Sequence, residues 1–443
     1  MESIWQKQTS DIQAKRNTSG NNHRDVIIVG AGLAGILTAY YLQKQGRNVL
    51  VLEADTIASG QTNGTTAKIT SQHDIKYSKL IRTVGMKKAG MYARANEAAI
   101  EEYARLIAQQ GIECDFKRVP AYLYTLENEQ KIIDEASAAV KLGIDAHYTK
   151  KTELPFSVKG AVCFSNQAQF SPLKFVKHIV VGLEISEHTK VLDIRGNKVR
   201  TEDKVYTADK IIVATHYPIL NVPGFYFLRQ HQERSYVLAL SGCPEIEGMY
   251  YGIDKNGLSF RQEGDALLLG GGSHRTGKSR AKGSYCFLHQ EADKYYPAAK
   301  VITRWSAQDC MPHDGIPFIG KYSVFTPNLY VITGFQKWGM TSSMIAAMIL
   351  RDEICGADNP YAEVFSPQRI NITAGIKNLL VDIGESVMGL TKGWLGSPKR
   401  RCSHMGCELK WNKEERTWDC PCHGSRFDEE GNLLDNPSKV DKK

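Results

Sequence analysis

Six residues near the start, Gly30-Ala-Gly32-Leu-Ala-Gly35, restrict the fold more than any other stretch of this 443-residue chain. They follow an apolar run, Asp25-Val-Ile-Ile-Val29, and open an apolar helix through Leu42. A second apolar run, Val49-Leu-Val-Leu-Glu53, ends in an acid 23 residues after Gly30. The order is strand, glycine turn, helix, strand: a βαβ unit. A bare G-x-G-x-x-G is a weak signal, but this context makes it a dinucleotide fingerprint. Gly30 permits the tight turn, Gly32 lets the backbone approach a pyrophosphate, and Gly35 lets the helix lie close on the strand. Ala31, Leu33 and Ala34 are expected at the same cofactor. A carboxylate at Glu53 can accept hydrogen bonds from ribose hydroxyls and would repel a 2′-phosphate, so FAD or NAD fits and NADP does not.

The rest of the chain needs more than one core. Hydrophobic residues make up 42% and charged residues 23%, the balance of a soluble globular protein with two or three domains. Residues 1–24 form a polar N-terminal extension with no apolar signal region, and no apolar run approaches the roughly 20 residues of a membrane span, so a cytoplasmic protein is expected. The net charge of +8 is scattered, except at Lys399-Arg400-Arg401 and at Lys439, Lys442 and Lys443. That is the pattern of a solvated surface and predicts no nucleic-acid partner.

From about 85 to 150 the pattern is mostly helical, with Met91, Ala95, Ala98, Ile100, Tyr103, Leu106 and Ile107 near helical spacing. Strand-like text occupies 187–213 and continues through 236–272, where Tyr236-Val-Leu-Ala-Leu240 and Ala266-Leu-Leu-Leu269 predict an antiparallel sheet. Residues 315–352 then give a strand, a glycine-rich turn and a long helix. Dinucleotide-binding parts therefore lie at both ends of 25–365, at about 25–80, 165–220 and 312–365. Substrate-domain parts fall at about 81–164 and 221–311. A linker helix is expected over 366–393, with Ile376, Leu379, Leu380, Ile383, Val387 and Leu390 on one apolar face, packed between modules or lying on a membrane surface.

Three segments select FAD. The polar loop 58–70, with Thr65, Thr66, Ala67 and Lys68, is rich in donors for phosphate and flavin edges. Asp209-Lys-Ile-Ile-Val-Ala-Thr215 resembles the second flavoprotein strand that ends beside the dinucleotide, placing Ala214 and Thr215, with Val191, at the cofactor. Tyr330-Val-Ile-Thr-Gly334-Phe-Gln-Lys-Trp-Gly339-Met-Thr341 precedes a small-residue helix whose N-terminus can stabilise negative charge on a reduced flavin. Gly334, Gly339, Met340 and Thr341 are the residues expected there, with Lys337 and Lys68 as supplementary cations. Together with Asp314-Gly-Ile-Pro-Phe-Ile-Gly320, these segments resemble the FAD-dependent glycine/D-amino-acid oxidase superfamily. The resemblance implies an α/β, Rossmann-like FAD-binding domain, an inserted antiparallel α+β substrate domain, and hydride transfer from a C–N or similar bond of a small molecule to the flavin.

One departure bears on the substrate. Amino-acid oxidases of this superfamily tend to carry an arginine five residues before that aspartate; here the position is Asp309, which would repel a carboxylate and favour an amine. Arg304 and Arg275 are the possible substitutes. Cys310 is either a covalent flavin anchor, as in the sarcosine-oxidase branch, or a buried structural cysteine. The cluster Gly270-Gly-Gly-Ser-His274-Arg275-Thr-Gly277 has no following helix and is expected as a loop at a strand end. The catalytic base is not assigned: Asp309, His274 and Lys337 are candidates by neighbourhood, as is His313, while Asp314 in its Asp-Gly pair reads as a turn residue.

Four of the ten cysteines fall in the last 42 residues. Cys402-Ser-His404-Met-Gly-Cys407 is followed, with fifteen residues between His404 and Cys420, by Cys420-Pro-Cys422-His423-Gly-Ser425. Two thiolates and two imidazoles from two loops match a Rieske centre, in which two histidines hold one iron and two cysteines the other. Tetrahedral zinc is the competing reading, although the one-residue spacing of Cys402 and His404 fits a finger poorly. The run to Phe427, with Glu408-Leu-Lys-Trp-Asn412 and Thr417-Trp-Asp-Cys420, resembles Rieske [2Fe-2S] domains of the cytochrome bc class. The resemblance implies a small all-β domain over 394–443. Its ligands would be Cys402, His404, Cys420 and His423, with a Cys407–Cys422 disulfide tying the loops and Ser425 able to donate to a bridging sulfide. The short polar stretch 391–401 predicts an abbreviated base sheet.

The two cofactors together predict an FAD dehydrogenase that oxidises a small, amine-type substrate and passes electrons singly through the cluster to an unidentified acceptor. An oxygen-using oxidase with a structural or redox-sensing Rieske domain and a non-catalytic electron carrier are the alternatives.

Overall fold

The computed structural model describes residues 2–15, 22–369, 384–386, 388–394 and 401–442. Strand His23–Val29 pairs in parallel with Val49–Leu52 on one side and Val205–Val213 on the other. Leu329–Thr333 and Glu184–Ser186 extend the parallel set outward. A parallel sheet is covered on both faces, which is why these strands are continuously apolar. Ile27, Leu50, Ile211 and Val331 enter one core, while Val26, Val51, Ile212 and Ile332 enter the other. Helices Leu33–Lys44 and Gly339–Cys355 supply Ile36, Leu37, Met344 and Ile345 to that second core.

A second sheet of eight strands begins with the edge strand Lys300–Pro312 and continues through Gln230–Ser241, Ala266–Arg275, Ser259–Glu263 and Met249–Gly252. Along Gln230–Ser241 the side chains alternate, Tyr236, Leu238 and Leu240 to one core and Val237 and Ala239 to the other. A smaller antiparallel sheet at the C-terminus has four strands of two or three residues: Lys410–Asn412, Thr417–Asp419, Arg426–Phe427 and Leu433–Asp435. The chain is thus a doubly covered α/β domain, an inserted antiparallel α+β domain and a small all-β domain.

The structure refines three local expectations. The stretch 85–150 is mostly helical, but not throughout. Helices Tyr77–Gln110 and Glu129–Lys141 alternate with strands Ala121–Thr125 and Ala146–Thr149, which extend the second sheet. Their short apolar text is ambiguous until burial between sheet neighbours decides it. The first helix breaks at Gly85, whose φ of 80° suits glycine. Residues Gly270 to Arg275 are not a loop but the second half of a strand. Their glycines let it run beneath neighbouring side chains, since a Cβ at Gly271 would lie 3.1 Å from Leu258 and 3.2 Å from Leu288. The N-terminal extension is not wholly a tail: Ile4–Gln8 is helical, and Trp5 is fully buried, its indole N–H donating to the Thr65 carbonyl at 2.7 Å.

Of the expected linker face, Ile376, Leu379, Leu380, Ile383 and Val387 lie outside the described residues. Leu390 packs against the small C-terminal core. Among the described residues, no helix is long and apolar enough to cross a membrane.

Candidate functional site

The parallel strands end in a crevice that opens into a cavity of about 740 Å³. Its floor is the turn after His23–Val29, with Gly30, Gly32, Leu33 and Ala34, and the end of the next strand at Glu53. Thr65, Thr66 and Lys68 form one side, and Val191, Ala214 and Thr215 another. Gly334, Gly339 and Met340 close it at the start of helix Gly339–Cys355. No side chain caps that helix N-terminus, so its first N–H groups remain available to an anion. Backbone crowding explains the glycines: a Cβ on Gly30 would stand 2.6 Å from the Ala214 carbonyl, and one on Gly35 2.0 Å from that of Gly30. The crevice at strand C-termini, the glycine cradle and the bare helix N-terminus fit an extended anionic dinucleotide.

Four of the expected cofactor residues support the wall rather than line it. Ala31 donates its N–H to Glu53 Oε2 at 2.6 Å, and Gly35 lies behind the turn. Ala67 is buried with φ 52°, and the Thr341 hydroxyl donates to the Thr70 carbonyl at 3.3 Å. Glu53 braces the turn as well, its Oε1 accepting from Asp55 N–H at 2.9 Å, while burial raises its pKa against those backbone donors. Lys68 donates to the Tyr250 carbonyl at 2.8 Å and Ser259 Oγ at 2.6 Å; burial, aided by the charge of Arg261, lowers its ammonium to about 7.

Asp309 and Lys337 come together on the cavity wall. Lys337 Nζ stands 3.6 Å from Asp309 Oδ2 and 3.7 Å from Glu233 Oε2, and donates to Ser235 Oγ at 2.6 Å and Ser273 Oγ at 3.2 Å. Burial raises the Asp309 carboxyl, with Lys337 pulling it back. Glu233 is also desolvated, but His231 and Lys337 outweigh that and hold it at about 2. Glu233, Ser235 and Ser273 escape sequence reasoning because pairing between strands, not a local motif, brings them here. Glu233 lies directly opposite Asp309 in the register.

The remaining candidates are engaged elsewhere. His274 does not line the cavity; its Nε2 meets Tyr236 Oη at 3.0 Å and its Nδ1 the Arg275 carbonyl at 2.9 Å. Arg275 donates to the carbonyls of Pro421 and Cys422 at 2.8 and 3.0 Å, and Arg304 stacks over Tyr285, so neither replaces the missing carboxylate anchor. Asp314 pairs with Arg369 at 2.7 and 2.9 Å, and His313 Nε2 faces the Leu228 carbonyl at 3.1 Å. Cys310 is buried outside the lining, its thiol donating to the His216 carbonyl at 3.5 Å, which suits a structural cysteine.

The C-terminal cysteines and histidines occupy two matching turns. Gly406 N–H donates to the Cys402 carbonyl and Gly424 N–H to that of Cys420, both at 2.9 Å. The Cys407–Cys422 disulfide joins the turns. Cys402 and Cys420 are buried and share a hydrogen bond that lowers the first thiol and raises the second. The rings of His404 and His423 stand 5.1 Å apart and perpendicular, and His404 Nδ1 is buried with no hydrogen-bond partner among the described residues. A buried, unsatisfied imidazole nitrogen beside two buried thiols is a donor set that fits a metal centre. Ser425 Oγ accepts from Ser438 N–H at 3.0 Å, leaving its proton for Cys402.

The two sites share a wall. Glu415, Thr417, Arg426, Leu434, Asp435, Asn436 and Lys439 line the same cavity as Gly30 and Thr215. Lys439 is therefore not simply part of a solvated tail. Gln232 donates to the carbonyls of His423 and Asn436 at 2.8 and 2.9 Å, and Gln308 to that of Gly424 at 2.8 Å. Arg234 pairs with Glu415 at 2.6 Å, both nearly inaccessible to water.

Residues 25–353 match the family described as FAD dependent oxidoreductase (DAO), and residues 381–442 the Rieske [2Fe-2S] domain. The Bacillus subtilis protein YhfW, named for a Rieske 2Fe-2S iron-sulfur protein, is 36% identical over 99% of this chain and 96% of its own length. Glycine oxidase from Geobacillus kaustophilus superposes with a TM-score of 0.62 at 19% identity, covering 79% of this chain and all of that one. L-proline dehydrogenase from P. horikoshii does so with a TM-score of 0.65 at 15% identity, covering 79% and 98%. These structures share the fold.

Proposed function

The chain belongs to the FAD dependent oxidoreductase family and ends in a Rieske [2Fe-2S] domain, and from that premise we propose that it oxidises a small amine-type substrate and delivers the electrons singly to an external acceptor. FAD supplies a two-electron acceptor and the Rieske cluster a one-electron carrier. The observation that carries the reading is the shared wall: Glu415, Thr417, Arg426, Leu434, Asp435, Asn436 and Lys439 of the C-terminal domain line the cavity that holds the dinucleotide fingerprint. Cofactors housed on two sides of one wall suit transfer between them better than a detached structural module.

The chain's own groups divide the work. Gly30, Gly32 and the helix starting at Leu33 would cradle the pyrophosphate, and the N-terminus of Gly339–Cys355 would meet the negative charge a flavin gains on reduction. Cys402 and Cys420 would hold one iron, His404 and His423 the other. Asp309 receives the substrate nitrogen. Its carboxylate and that of Glu233 flank the ammonium of Lys337, and Glu233 also pairs with His231, so Asp309 is the carboxylate left to favour a cationic nitrogen over a carboxylate. Ser235 and Ser273 hold Lys337 in place. Tyr251 and Trp338, both on the cavity lining, exclude water from the same corner.

Anaerobic titration with a panel of primary and secondary amines tests this. Bleaching of the flavin band followed by loss of the cluster's visible bands is expected. Flavin bleaching with the cluster left oxidised, together with peroxide release in air, would replace the relay by an oxidase. No bleaching with any small molecule would leave a carrier.

A further inference from the structure

The loop that leaves the cavity wall at Ala214 and Thr215 reaches the metal site six residues later, at Asn221. There the Asn221 side-chain oxygen lies 2.8 Å from His404 Nε2. The two ring nitrogens of His404 have unlike surroundings: Nδ1 is buried without a hydrogen-bond partner among the described residues, while Nε2 faces this amide. A ligating nitrogen must present a lone pair, so Nδ1 is the unprotonated one and Nε2 carries the proton. Nε2–H then donates, and the amide oxygen is the atom that accepts. On the neighbouring ligand, Phe227 of the same loop sets its ring perpendicular to His423 at 5.9 Å.

We propose that Asn221, contributed by the flavin domain, is a positioning residue for the iron–sulfur cluster: it fixes the tautomer and ring orientation of His404 and tunes the electron affinity of the iron that His404 holds. An acceptor on the outer nitrogen of a ligating imidazole raises the basicity of the inner one, and a more basic ligand favours the oxidised metal. The flavin domain thereby acts on the potential of the cluster it reduces, through a bond that exists only while the two domains are docked. The outer edge of His404 is spent on this contact. The inference rests on the proposed ligand set.

Two substitutions separate an electronic role from a structural one. Asn221→Leu removes the acceptor at similar volume, and the cluster potential should rise, by about tenfold in the one-electron equilibrium constant, or 59 mV. Asn221→Asp keeps the acceptor and adds a negative charge, and the potential should fall. Both are read by EPR-monitored redox titration of the purified full-length holoprotein, with the spectrum confirming that the cluster is present. Opposite shifts support the proposal; equal potentials, or shifts in the same direction, overturn it. If the Leu variant loads no cluster, the Asp variant decides alone, because an unchanged or raised potential there is incompatible with the proposal. A wild-type protein with no Rieske-type signal would instead refute the ligand set.

Discussion

Asp309 is the residue on which substrate choice turns. Burial holds its carboxyl above the ordinary 3.8, and Lys337 counters part of that rise. A cationic substrate needs Asp309 ionised, so KM should fall as pH climbs through this raised pKa. Asp309→Asn should erase that acid limb and raise KM roughly ten- to a hundredfold, the worth of one hydrogen bond to a charged group at about 1.5–3 kcal/mol. Stopped-flow flavin reduction across pH measures both; an unchanged KM in the variant would sink the amine reading. Ser425 is the counterpart at the cluster. Its hydroxyl donation to Cys402 favours the more negative, reduced state, so Ser425→Ala should lower the cluster potential in an EPR titration while leaving the iron content intact. Legibility in the sequence differs between these sites for a physical reason. Gly30, Gly32 and Gly35 act within one turn, and Cys402, His404, Cys420 and His423 within two, so spacing alone exposes them. Glu233, Ser235 and Ser273 meet Lys337 only because strands far apart in sequence pair in one register. Arg275, by contrast, was legible as a cation near the site but not as the donor to Pro421 and Cys422 that it is.

Strand Gln230–Ser241 is the element that joins the two chemistries. Alternation sends Glu233 and Ser235 towards Lys337 and Asp309, and Gln232 and Arg234 towards the C-terminal domain. The edge strand Lys300–Pro312 repeats the division, with Asp309 on the cavity side and Gln308 bonded to Gly424. The outline of this sheet was readable from apolar alternation at 236–272, but the polar half, residues 230–235, carries no such signal because its partners are polar groups distant in sequence, those of Gln232 and Arg234 in another domain. Docking depends on Glu415. Although burial opposes its ionisation, the guanidiniums of Arg234 and Arg426 hold it at about 2. A carboxyl depressed in the folded state stabilises above its unfolded value near 4.5 and loses that contribution as pH falls towards 2. The domain contact should therefore weaken across that acid window. Glu415→Ala should cost about 3–5 kcal/mol at neutral pH, since it leaves the buried Arg234 with only the carboxylate of Asp435 at 3.9 Å, while Arg426 keeps Asp419 and Asp435. Hydrogen exchange at Gln230–Ser241 and at the cluster turns reads the loss, and protection equal to wild type would show that Glu415 does not hold the domains together.

At the scale of the whole molecule the C-terminal domain is a wall of the flavin cavity as well as a cluster carrier. Asn436 donates to the Thr215 carbonyl at 3.3 Å, Gln61 donates to Asp435 at 3.2 Å, and Lys439 reaches the Leu192 carbonyl at 3.5 Å. A dinucleotide seated between Gly30 and Thr215 would therefore be bordered by both domains, and opening of that contact should ease its exit. The cluster turns are themselves part of the contact, through the carbonyls of Pro421, Cys422, His423 and Gly424. Iron held by those turns would order them, and cluster occupancy and flavin retention should then be linked, reciprocally. Cys420→Ser, which removes a proposed ligand without touching the cavity lining, should speed flavin release by roughly tenfold or more, for about 1.4 kcal/mol of lost docking. Flavin fluorescence recovery after dilution follows this directly. In the opposite direction, protein stripped of flavin should lose iron faster to a chelator than the flavin-loaded form. Equal release rates in both comparisons would make the wall a passive neighbour, and the two cofactors would then share a wall without sharing their stability.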